Sequence, residues 1–530
     1  MKLTLIRISE MVAESGNALT TPPVGVAYLA GYLRRAGHEV CIIDGVGEAI
    51  ERYEPIFSRS LGFFLHGLTL EEIVGRIEPS HSELIGVSCM FSQDWPVAKR
   101  LLAMIRRRFP RSRIVCGGEH VSAMMTFTLE ECPAVDFCVS REGEATLLEL
   151  VTRLQHGHHA ADNWSDLAGI AYRDGRGRIV VNPHRPRIAD LDDIPYPAWD
   201  LVPIEKYLAS GSGFGVNKGR NMPIVASRGC PYACTFCSNV NMWTRQWDAR
   251  DPIKVVDEME HDVQTYGATN FDFYDLTAIV RKDWIMAFCA ELDRRRLGIS
   301  YQLPSGTRSE AIDEEVAASL KRTGCCHIVY APESGSQRTL RRIKKQIKLS
   351  RLFDSMRAAV RAGTFVKANI VLGFPGDTHV DIWRTLAFLA RLARIGVHDV
   401  FIYTFSPYPG SPLFEELRAS GRIRSLDEKY FFDLTAYIKL TQAISYTDHV
   451  SSPALAGYRF FGLLLFYGLS FALRPGRLLR ILKNLACPQS DTRIEQFIKS
   501  ILRPSASSGR GLVKARKHGA IPVQALGGAA

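Results

Sequence analysis

Short apolar runs alternate with amphipathic segments over roughly the first 155 residues. Continuous short runs are typical of strands buried on both faces of a parallel sheet, and the segments between them have the spacing of helices. The alternation predicts an α/β fold with a doubly wound, Rossmann-like parallel sheet, which binds ligands at the carboxyl ends of its strands. The predicted strands are residues 3–8, 40–43, 84–88, 114–116 and 137–139.

A second alternating series extends from residue 222 to about residue 405. Its predicted strands are residues 222–227, 270–274, 300–303, 327–331, 366–372 and 400–405. Six such units are too few to close an eight-stranded barrel. Between the two series, residues 156–220 predict a β-hairpin around Asp174-Gly-Arg-Gly177, followed by a proline-rich link in which we expect no binding site.

Composition indicates several packed domains in a reducing compartment. Of the 530 residues, 46% are hydrophobic and 23% are charged, so large buried cores are expected and wholesale disorder is not. The 12 cysteines lack the dense spacing of a secreted scaffold, and the first residues lack a signal segment, so we expect a cytoplasmic protein. The net charge of +11 is compatible with an anionic membrane or nucleic acid but requires neither.

Three cysteines provide the strongest chemical signal in the chain. Cys230, Cys234 and Cys237 have the spacing C-x3-C-x2-C, which gathers three thiolates in one short loop after a predicted strand. An iron–sulfur cubane takes thiolate ligands, and three protein ligands leave one iron open for a substrate or a second cofactor. The alternatives are free thiols and a zinc knuckle. Structural zinc needs a fourth ligand, for which only His261 is available between residues 238 and 264.

The segment Arg228-Gly-Cys-Pro-Tyr-Ala-Cys-Thr-Phe-Cys237 resembles the cluster loop of the radical S-adenosylmethionine (radical SAM) enzymes. Glu333-Ser-Gly335 and Gly373-Phe-Pro-Gly376 are also similar to motifs of that family. The resemblance implies an open, six-stranded partial (β/α)6 barrel, with the three cysteines holding a [4Fe–4S] cluster. It further implies that S-adenosylmethionine binds at Phe236, Asp275, Ser305, Arg308 and Glu333.

Glycine-bearing loops follow the predicted strands of the first sheet. They include Cys116-Gly-Gly-Glu-His120 and Arg141-Glu-Gly-Glu-Ala-Thr146. Singly, such loops are typical of plain turns, and a lone histidine is typical of the surface. Together, ahead of a radical SAM loop, they resemble the cobalamin-binding domain of the cobalamin-dependent radical SAM family. The resemblance implies cobalamin binding by Pro23, Gly25, Ser88, Gly117, Gly118, His120, Glu142, Gly143 and Glu144.

One motif known from several other cobalamin proteins is missing. The chain has no Asp-x-His-x-x-Gly sequence, which supplies a histidine ligand to cobalt in those proteins. We therefore expect cobalamin to bind without a protein histidine beneath the cobalt. A degenerate domain that binds no cobalamin is the alternative.

The resemblance implies an enzyme that cleaves S-adenosylmethionine reductively and, with cobalamin as methyl carrier, methylates an unactivated carbon. The alternative within the family is radical cyclisation or oxidation of a tetrapyrrole or lipid-like substrate, as in the anaerobic porphyrin-ring cyclases. A non-catalytic cobalamin sensor is the alternative of another class, which the intact cysteines disfavour. The expected partners are a small-molecule or lipid-like substrate and an electron donor such as flavodoxin or ferredoxin.

A transfer-RNA methylthiolating enzyme is a further rival, suggested by the positive charge. Such an enzyme would carry extra cluster cysteines in its N-terminal domain. The five cysteines there lie on or beside predicted strands, as small core residues do, and we expect no nucleic-acid partner. They are Cys41, Cys89, Cys116, Cys132 and Cys138.

The chain changes character after about residue 440. Residues 460–473 are strongly apolar but fewer than the roughly 20 that a bilayer crossing requires, so we predict a helix packed on the barrel. The alternative is an interfacial helix whose flanking Arg474, Arg477 and Arg480 attract anionic lipid, giving a membrane-associated enzyme. The expected regions are a cobalamin-binding domain (1–155), a hairpin and linker (156–220), the partial barrel (221–440), a helical region (441–504) and a disordered basic tail (505–530).

Overall fold

The computed structural model describes residues 1–13, 20–57, 62–158, 164–211, 213–307, 311–437, 442–487 and 489–502. Two large sheets, one in each half of the chain, are covered by helices, and a helical region follows the second sheet. The predicted α/β fold class is therefore confirmed. The tail at 505–530 lies outside the described residues.

The first sheet has seven strands in the order β10-β9-β8-β7-β6-β1-β3. Five of them are parallel, and all five were predicted, because each is an apolar run that the structure buries. Strand β1 lies between β3 and β6, so the winding of the chain reverses beside β1 and a ligand crevice is expected there. The strands are β1 (Lys2–Arg7), β3 (Glu39–Asp44), β6 (Leu84–Ser88), β7 (Arg113–Gly117), β8 (Phe137–Val139), β9 (Ile170–Arg173) and β10 (Ile179–Val181).

Two features of this half differ from the sequence analysis. The predicted hairpin, placed in the linker, forms β9 and β10 and joins the first sheet, where β9 pairs antiparallel to β8. A three-stranded antiparallel sheet was not predicted, since each of its strands has only three or four residues. It consists of β2 (Glu10–Ala13), β4 (Tyr53–Pro55) and β5 (Phe63–His66).

The second sheet confirms the six predicted βα units. All six strands are parallel and lie in chain order, as an open partial barrel requires. They are β11 (Asn221–Ile224), β14 (Asn270–Phe273), β15 (Ser300–Thr307), β16 (Cys325–Glu333), β17 (Phe365–Leu372) and β18 (Asp399–Thr404). A short antiparallel pair, β12 (Ser227–Arg228) and β13 (Asp248–Ala249), joins the two ends of the segment that contains the three cysteines.

Capping residues mark the start of several helices. Asp251 caps α9, and its carboxylate accepts a hydrogen bond from the amide of Ile253 at 2.7 Å. Thr378 and Asp381 form a capping box at the start of α14. The helices are α1 (Val24–Arg35), α2 (Leu70–Arg76), α3 (Trp95–Arg108), α4 (Glu119–Ala123), α5 (Met125–Glu131), α6 (Gly143–Gln155), α7 (Ile204–Ser210), α8 (Asn239–Trp243), α9 (Pro252–Tyr266), α10 (Lys282–Arg295), α11 (Glu314–Arg322), α12 (Gln337–Arg342), α13 (Leu349–Arg361), α14 (His379–Ile395), α15 (Pro412–Ala419), α16 (Glu428–Asp433), α17 (Ser452–Leu473), α18 (Gly476–Asn484) and α19 (Arg493–Leu502).

The apolar run of the C-terminal region lies in α17, which packs against α14 and β18. Its buried residues include Leu455, Gly462 and Phe466. Within the described residues, α17 is the one helix with the length and apolar composition to cross a membrane. One face of the helix nevertheless packs on the barrel, as predicted.

The backbone conformation and close packing of Gly118 lead to a first prediction, which concerns the thermal stability of the protein. Gly118 has φ of +111°, and a Cβ added there would lie 2.4 Å from the carbonyl oxygen of Cys89. The strain should cost about 1–3 kcal/mol, and each kcal/mol lowers Tm by about 2–4 °C in a domain of this size. We expect Gly118→Ala to lower Tm by several degrees in a thermal melt of the apo-protein.

The matched control is Gly75→Ala on α2, where an added Cβ meets no atom within 4 Å. Alanine has the higher helix propensity, so Tm should stay the same or rise. Equal Tm values for the two variants would contradict the prediction.

Candidate cluster and cofactor site

The loop with Cys230, Cys234 and Cys237 lies between β12 and α8, and its three half-buried thiols form no disulfide. Backbone hydrogen bonds fix its shape. The amide of Cys237 donates to the carbonyl of Cys234 at 3.1 Å. The amide of Thr235 donates to the carbonyl of Ile343 at 3.0 Å, and its carbonyl accepts from the amide of Leu413 at 2.9 Å. The loop is therefore held to two other segments of the barrel.

The donor set of this loop, three thiols, is the set that an iron–sulfur cubane with one open iron takes from a protein. Among the described residues, no three His, Cys, Asp or Glu side chains converge on a single point as one zinc ion requires. Each thiolate of a cubane binds a different iron, so the three sulfurs need only surround a common volume. His261, the alternative zinc ligand, lies on α9, where its Nδ1 is 3.1 Å from the Asp262 carboxylate.

One contact and one pKa shift at the cysteines bear on cluster binding. The hydroxyl of Thr277 lies 3.6 Å from the sulfur of Cys230, a contact that the sequence analysis missed, and 2.9 Å from the carbonyl oxygen of Leu276. Burial raises the pKa of the Cys237 thiol to about 12. Because the predicted ligands are thiolates, binding of a cluster here would release this proton.

Three of the residues predicted to bind S-adenosylmethionine lie at strand ends or in the cysteine loop. Phe236 packs on Phe374 with ring centroids 5.3 Å apart. Glu333 ends β16 with φ of +63°, an uncommon conformation for a residue other than glycine. Its carboxylate accepts from the ammonium of Lys345 at 2.9 Å, and that ammonium lies 5.9 Å from the Phe236 ring. Ser305 is half-buried on β15.

The other two predicted ligands have different outcomes. Arg308 lies outside the described residues. The buried carboxylate of Asp275 accepts hydrogen bonds from the amide of Ala226 at 3.1 Å and from the hydroxyl of Ser227 at 2.5 Å. Burial raises its pKa to about 6. Asp275 thus fixes the strand that leads into the cysteine loop, and a direct contact with S-adenosylmethionine stays a prediction.

The carboxyl edge of the first sheet exposes a glycine and two large apolar side chains. Gly25 is exposed, and a Cβ added there would meet no atom within 4 Å. After β6, Met90 and Phe91 are 42% and 47% exposed, which is unusual for large apolar residues. The predicted residues Ser88 and Gly117 lie at the ends of β6 and β7 beside them. This open apolar edge fits the broad, flat ring of a corrin.

His120 is buried rather than at the surface. Its ring stacks on Trp95 with centroids 5.0 Å apart, and Nδ1 lies 3.0 Å from the hydroxyl of Ser92. Burial lowers its pKa to about 3, so the ring is neutral. Within the described residues Nε2 is buried without a hydrogen-bond partner. The surface alternative for His120 is therefore wrong.

Glu142 and Glu144, which flank Gly143, join the first sheet to the cysteine loop. Arg228, two residues before Cys230, donates to the Glu142 carboxylate at 3.0 Å and to the Glu144 carboxylate at 2.6 Å. All three side chains are buried. The carboxylates predicted to bind cobalamin are thus occupied by an arginine whose role the sequence analysis missed.

Further hydrogen bonds connect the two halves around the same loops. The hydroxyl of Ser238 donates to the carboxylate of Glu119. Arg141 donates to the carbonyl of Asn241 at 3.1 Å. The carboxyl edge of the first sheet therefore faces the mouth of the partial barrel, and the two predicted cofactor sites adjoin each other.

The two halves of the chain match two known protein families. Residues 17–151 match the B12 binding domain, and residues 224–389 match the radical SAM superfamily. The chain is a radical SAM enzyme with a B12-binding domain. The expected cofactors of these two domains, cobalamin, a [4Fe–4S] cluster and S-adenosylmethionine, are confirmed, while the residues that bind them stay predictions.

The sequence of this radical SAM enzyme is similar both to a protein named as a methyltransferase and to a protein named as a cyclase. It is 29% identical over 464 residues to an uncharacterized methyltransferase of Pyrococcus horikoshii, covering 87% of this chain and 90% of that protein. It is also 29% identical over 414 residues to the anaerobic magnesium-protoporphyrin IX monomethyl ester cyclase of Rubrivivax gelatinosus, covering 78% and 69%.

A solved structure shares the fold of both halves. The cobalamin-dependent S-adenosylmethionine radical enzyme OxsB, with aqua-cobalamin and S-adenosylmethionine bound, superposes with a TM-score of 0.65 at 16% identity. The match covers 96% of this chain and 75% of OxsB. This similarity supports the fold, and not a substrate.

The cluster assignment makes the second prediction. We expect the triple variant Cys230→Ala/Cys234→Ala/Cys237→Ala, reconstituted without oxygen, to lose bound iron and sulfide and all cleavage of S-adenosylmethionine. The matched control replaces Cys41, Cys326 and Cys487, three thiols of other segments that are also not fully buried. The control should keep its iron. Retained cleavage in the first variant, or zinc in the anaerobically purified protein, would show the assignment to be wrong.

The buried ion pairs of Arg228 with Glu142 and Glu144 lead to the third prediction. Arg228→Met leaves the buried Glu144 carboxylate without its ion-pair partner and Glu142 with only Arg187, 3.6 Å away. Breaking a buried ion pair in this way costs about 3–5 kcal/mol. We expect a lower Tm and weaker cobalamin binding in equilibrium dialysis. Arg178→Met, which removes an exposed ion pair with Asp174 on the hairpin, is the control and should change neither. Wild-type cobalamin affinity in Arg228→Met would separate this arginine from the cobalamin site.

Proposed function

We propose that this enzyme transfers a methyl group to an unactivated carbon. The observation that supports the proposal is the shared interface, in which Arg228 connects the cysteine loop to the loop after β8. Methyl transfer to a substrate carbon needs the methyl carrier and the hydrogen-abstracting centre to face one substrate. An enzyme with two remote cofactor sites would not need this contact.

In this proposal, the cluster with S-adenosylmethionine supplies hydrogen abstraction and cobalamin supplies the methyl group. The protein holds and orients these groups. Cys230, Cys234 and Cys237 would hold the cluster, and the Thr277 hydroxyl, 3.6 Å from the Cys230 sulfur, would stabilise that thiolate. The Glu333–Lys345 pair beside Phe236 would form a polar wall against S-adenosylmethionine.

Tyrosines surround the carboxyl end of β18, on the side that faces the first sheet. The Tyr437 ring lies 5.6 Å from that of Tyr403 and 6.4 Å from that of Tyr408, whose hydroxyl donates to Gln93 at 3.2 Å. Burial raises the pKa of all three phenols, so they stay neutral and keep their protons. We infer that these tyrosines exclude water from the substrate and bind the substrate through hydrogen bonds of their neutral hydroxyls.

Cyclisation or oxidation of a substrate is the second candidate, favoured by the similarity to the magnesium-protoporphyrin cyclase. Both functions need a substrate and an external electron donor. We propose a small-molecule or lipid-like substrate, a donor such as flavodoxin or ferredoxin, and a cytoplasmic enzyme that contacts a membrane.

The products of S-adenosylmethionine distinguish the two candidates and give the fourth prediction. A methyltransferase uses one molecule to load the methyl carrier and a second for hydrogen abstraction. We expect anaerobic extracts supplied with the reconstituted enzyme, cobalamin and a reductant to yield S-adenosylhomocysteine and 5′-deoxyadenosine together. A label in the methyl group of S-adenosylmethionine should appear in a new product.

The triple cysteine variant is the control, since it should form no 5′-deoxyadenosine. Formation of 5′-deoxyadenosine without enzyme-dependent S-adenosylhomocysteine or labelled product would contradict methyl transfer and favour cyclisation or oxidation. Uptake of cobalamin with neither product would favour the sensor alternative.

A further inference from the structure

An apolar surface on α14, α17 and α18 is left uncovered among the described residues. We call it the apolar face, and it consists of Trp383, Phe460, Phe461, Leu464, Leu479 and Leu482. The six side chains are between 43% and 69% exposed. The Trp383 and Phe461 rings lie 5.9 Å apart, so α14 and α17 contribute to one surface. Exposed patches of this kind mark sites of interaction with a protein or a membrane.

The exposed side of α17 carries no charge. The helix has one charged residue, Arg459, which is fully buried and donates to the carbonyls of Tyr437 at 3.1 Å and Gln442 at 2.9 Å. A surface helix of a soluble protein normally presents polar residues to water. The exposed side of α17 has phenylalanine and leucine instead, and α18, which contacts α17, also exposes leucines.

The helices that carry the apolar face are basic, and we call their exposed charged residues the basic border. Helices α14, α17 and α18 contain a single acidic residue, Asp381, and it is buried. Their exposed charged residues are Arg384, Arg391, Arg394 and Lys483. This surface is therefore complementary to an anionic partner that is apolar beyond its charged layer.

The predicted lipid-attracting arginines have another role in the structure. Arg474 donates to the carbonyl of Ala393 at 2.9 Å. Arg477 donates to the carbonyls of Gly396 at 2.6 Å and Val397 at 2.8 Å. Arg480 lies 3.6 Å from the carboxylate of Glu495. The positive charge available at the apolar face comes from other residues than those predicted.

We propose that the apolar face docks on the surface of an anionic lipid bilayer, with α17 and α18 in the interface. Helix α17 does not cross the bilayer, because Leu455, Gly462 and Phe466 pack on the protein. Gly462 lies so close to β18 that an added Cβ would be 2.8 Å from Ile402. Aromatic and leucine side chains enter the acyl boundary, and the basic border meets the headgroups.

A second copy of the chain fits this face less well than a bilayer. In a two-fold contact the same surface meets itself, so the basic borders of both copies would be brought together. Helices α14, α17 and α18 offer no exposed acidic side chain to neutralise them. The proposal goes beyond methyl transfer and does not depend on it.

The test, our fifth prediction, is flotation of the full-length reconstituted enzyme with vesicles of phosphatidylcholine alone or mixed with phosphatidylglycerol. We expect the enzyme to float with the anionic vesicles. Leu464→Ser/Leu479→Ser should lower the vesicle affinity by about tenfold or more, since each leucine loses its burial. The matched control, Val181→Ser/Ile253→Ser, removes two aliphatic side chains that are 48% and 50% exposed elsewhere and should float like the wild type.

A further variant, Arg384→Gln/Lys483→Gln, separates charge from apolar burial. It should lose the preference for anionic vesicles and keep the weaker binding to neutral ones. Circular dichroism and cleavage of S-adenosylmethionine should be unchanged in every variant, which separates a failure to dock from a failure to fold or react. Two outcomes would overturn the proposal: a wild-type enzyme that stays soluble with anionic vesicles, or a dimer in light scattering that the leucine variant converts to a monomer without any vesicle binding.

Discussion

The contact of Arg228 with Glu142 and Glu144 sets the spacing between the first sheet and the cysteine loop. Burial alone would lower the pKa of Arg228, but the two carboxylates outweigh it and raise the pKa, so the charge persists inside the protein. The guanidinium also lies 5.5 Å from the Tyr28 ring on α1 and 5.4 Å from the Trp243 ring on α8. One residue of the barrel is thus enclosed by both halves. If either half shifted, a charged side chain would be left inside the protein without its partner, which lowers the stability of the fold.

The sequence predicted the architecture well because it depends on repeated local signals. Apolar runs identified the five parallel strands of the first sheet and the six of the barrel, and capping residues such as Asp251 located helix ends. The small sheet of β2, β4 and β5 was missed because each of its strands has only three or four residues. The hairpin pairs with β8, which is distant in the sequence. The pattern of apolar residues within one segment does not show which distant strand will lie beside it in the sheet.

The site was predictable in its ligand types but not in its contacts. The cysteine spacing predicted the cluster loop, since three thiols in one short segment are a local signal, and the cysteines stay predicted ligands. The partners of Glu142, Glu144 and Asp275 were not predictable, because a carboxylate that pairs with a distant arginine or amide looks the same in sequence as one that binds a ligand. His120 shows the same limit, since its neighbour Trp95 lies 25 residues earlier in the chain.

The backbone contacts of Thr235 have a consequence for how the loop tolerates change. Its amide and its carbonyl are both used, by Ile343 after α12 and by Leu413 at the start of α15. Any residue other than proline offers these two backbone groups, so the contacts themselves do not depend on the threonine side chain, although that side chain is buried. Insertions or deletions next to residues 343 and 413 would instead move the donor and acceptor away. A change of chain length near those two distant positions would thus disturb the predicted iron site more than truncation of the Thr235 side chain.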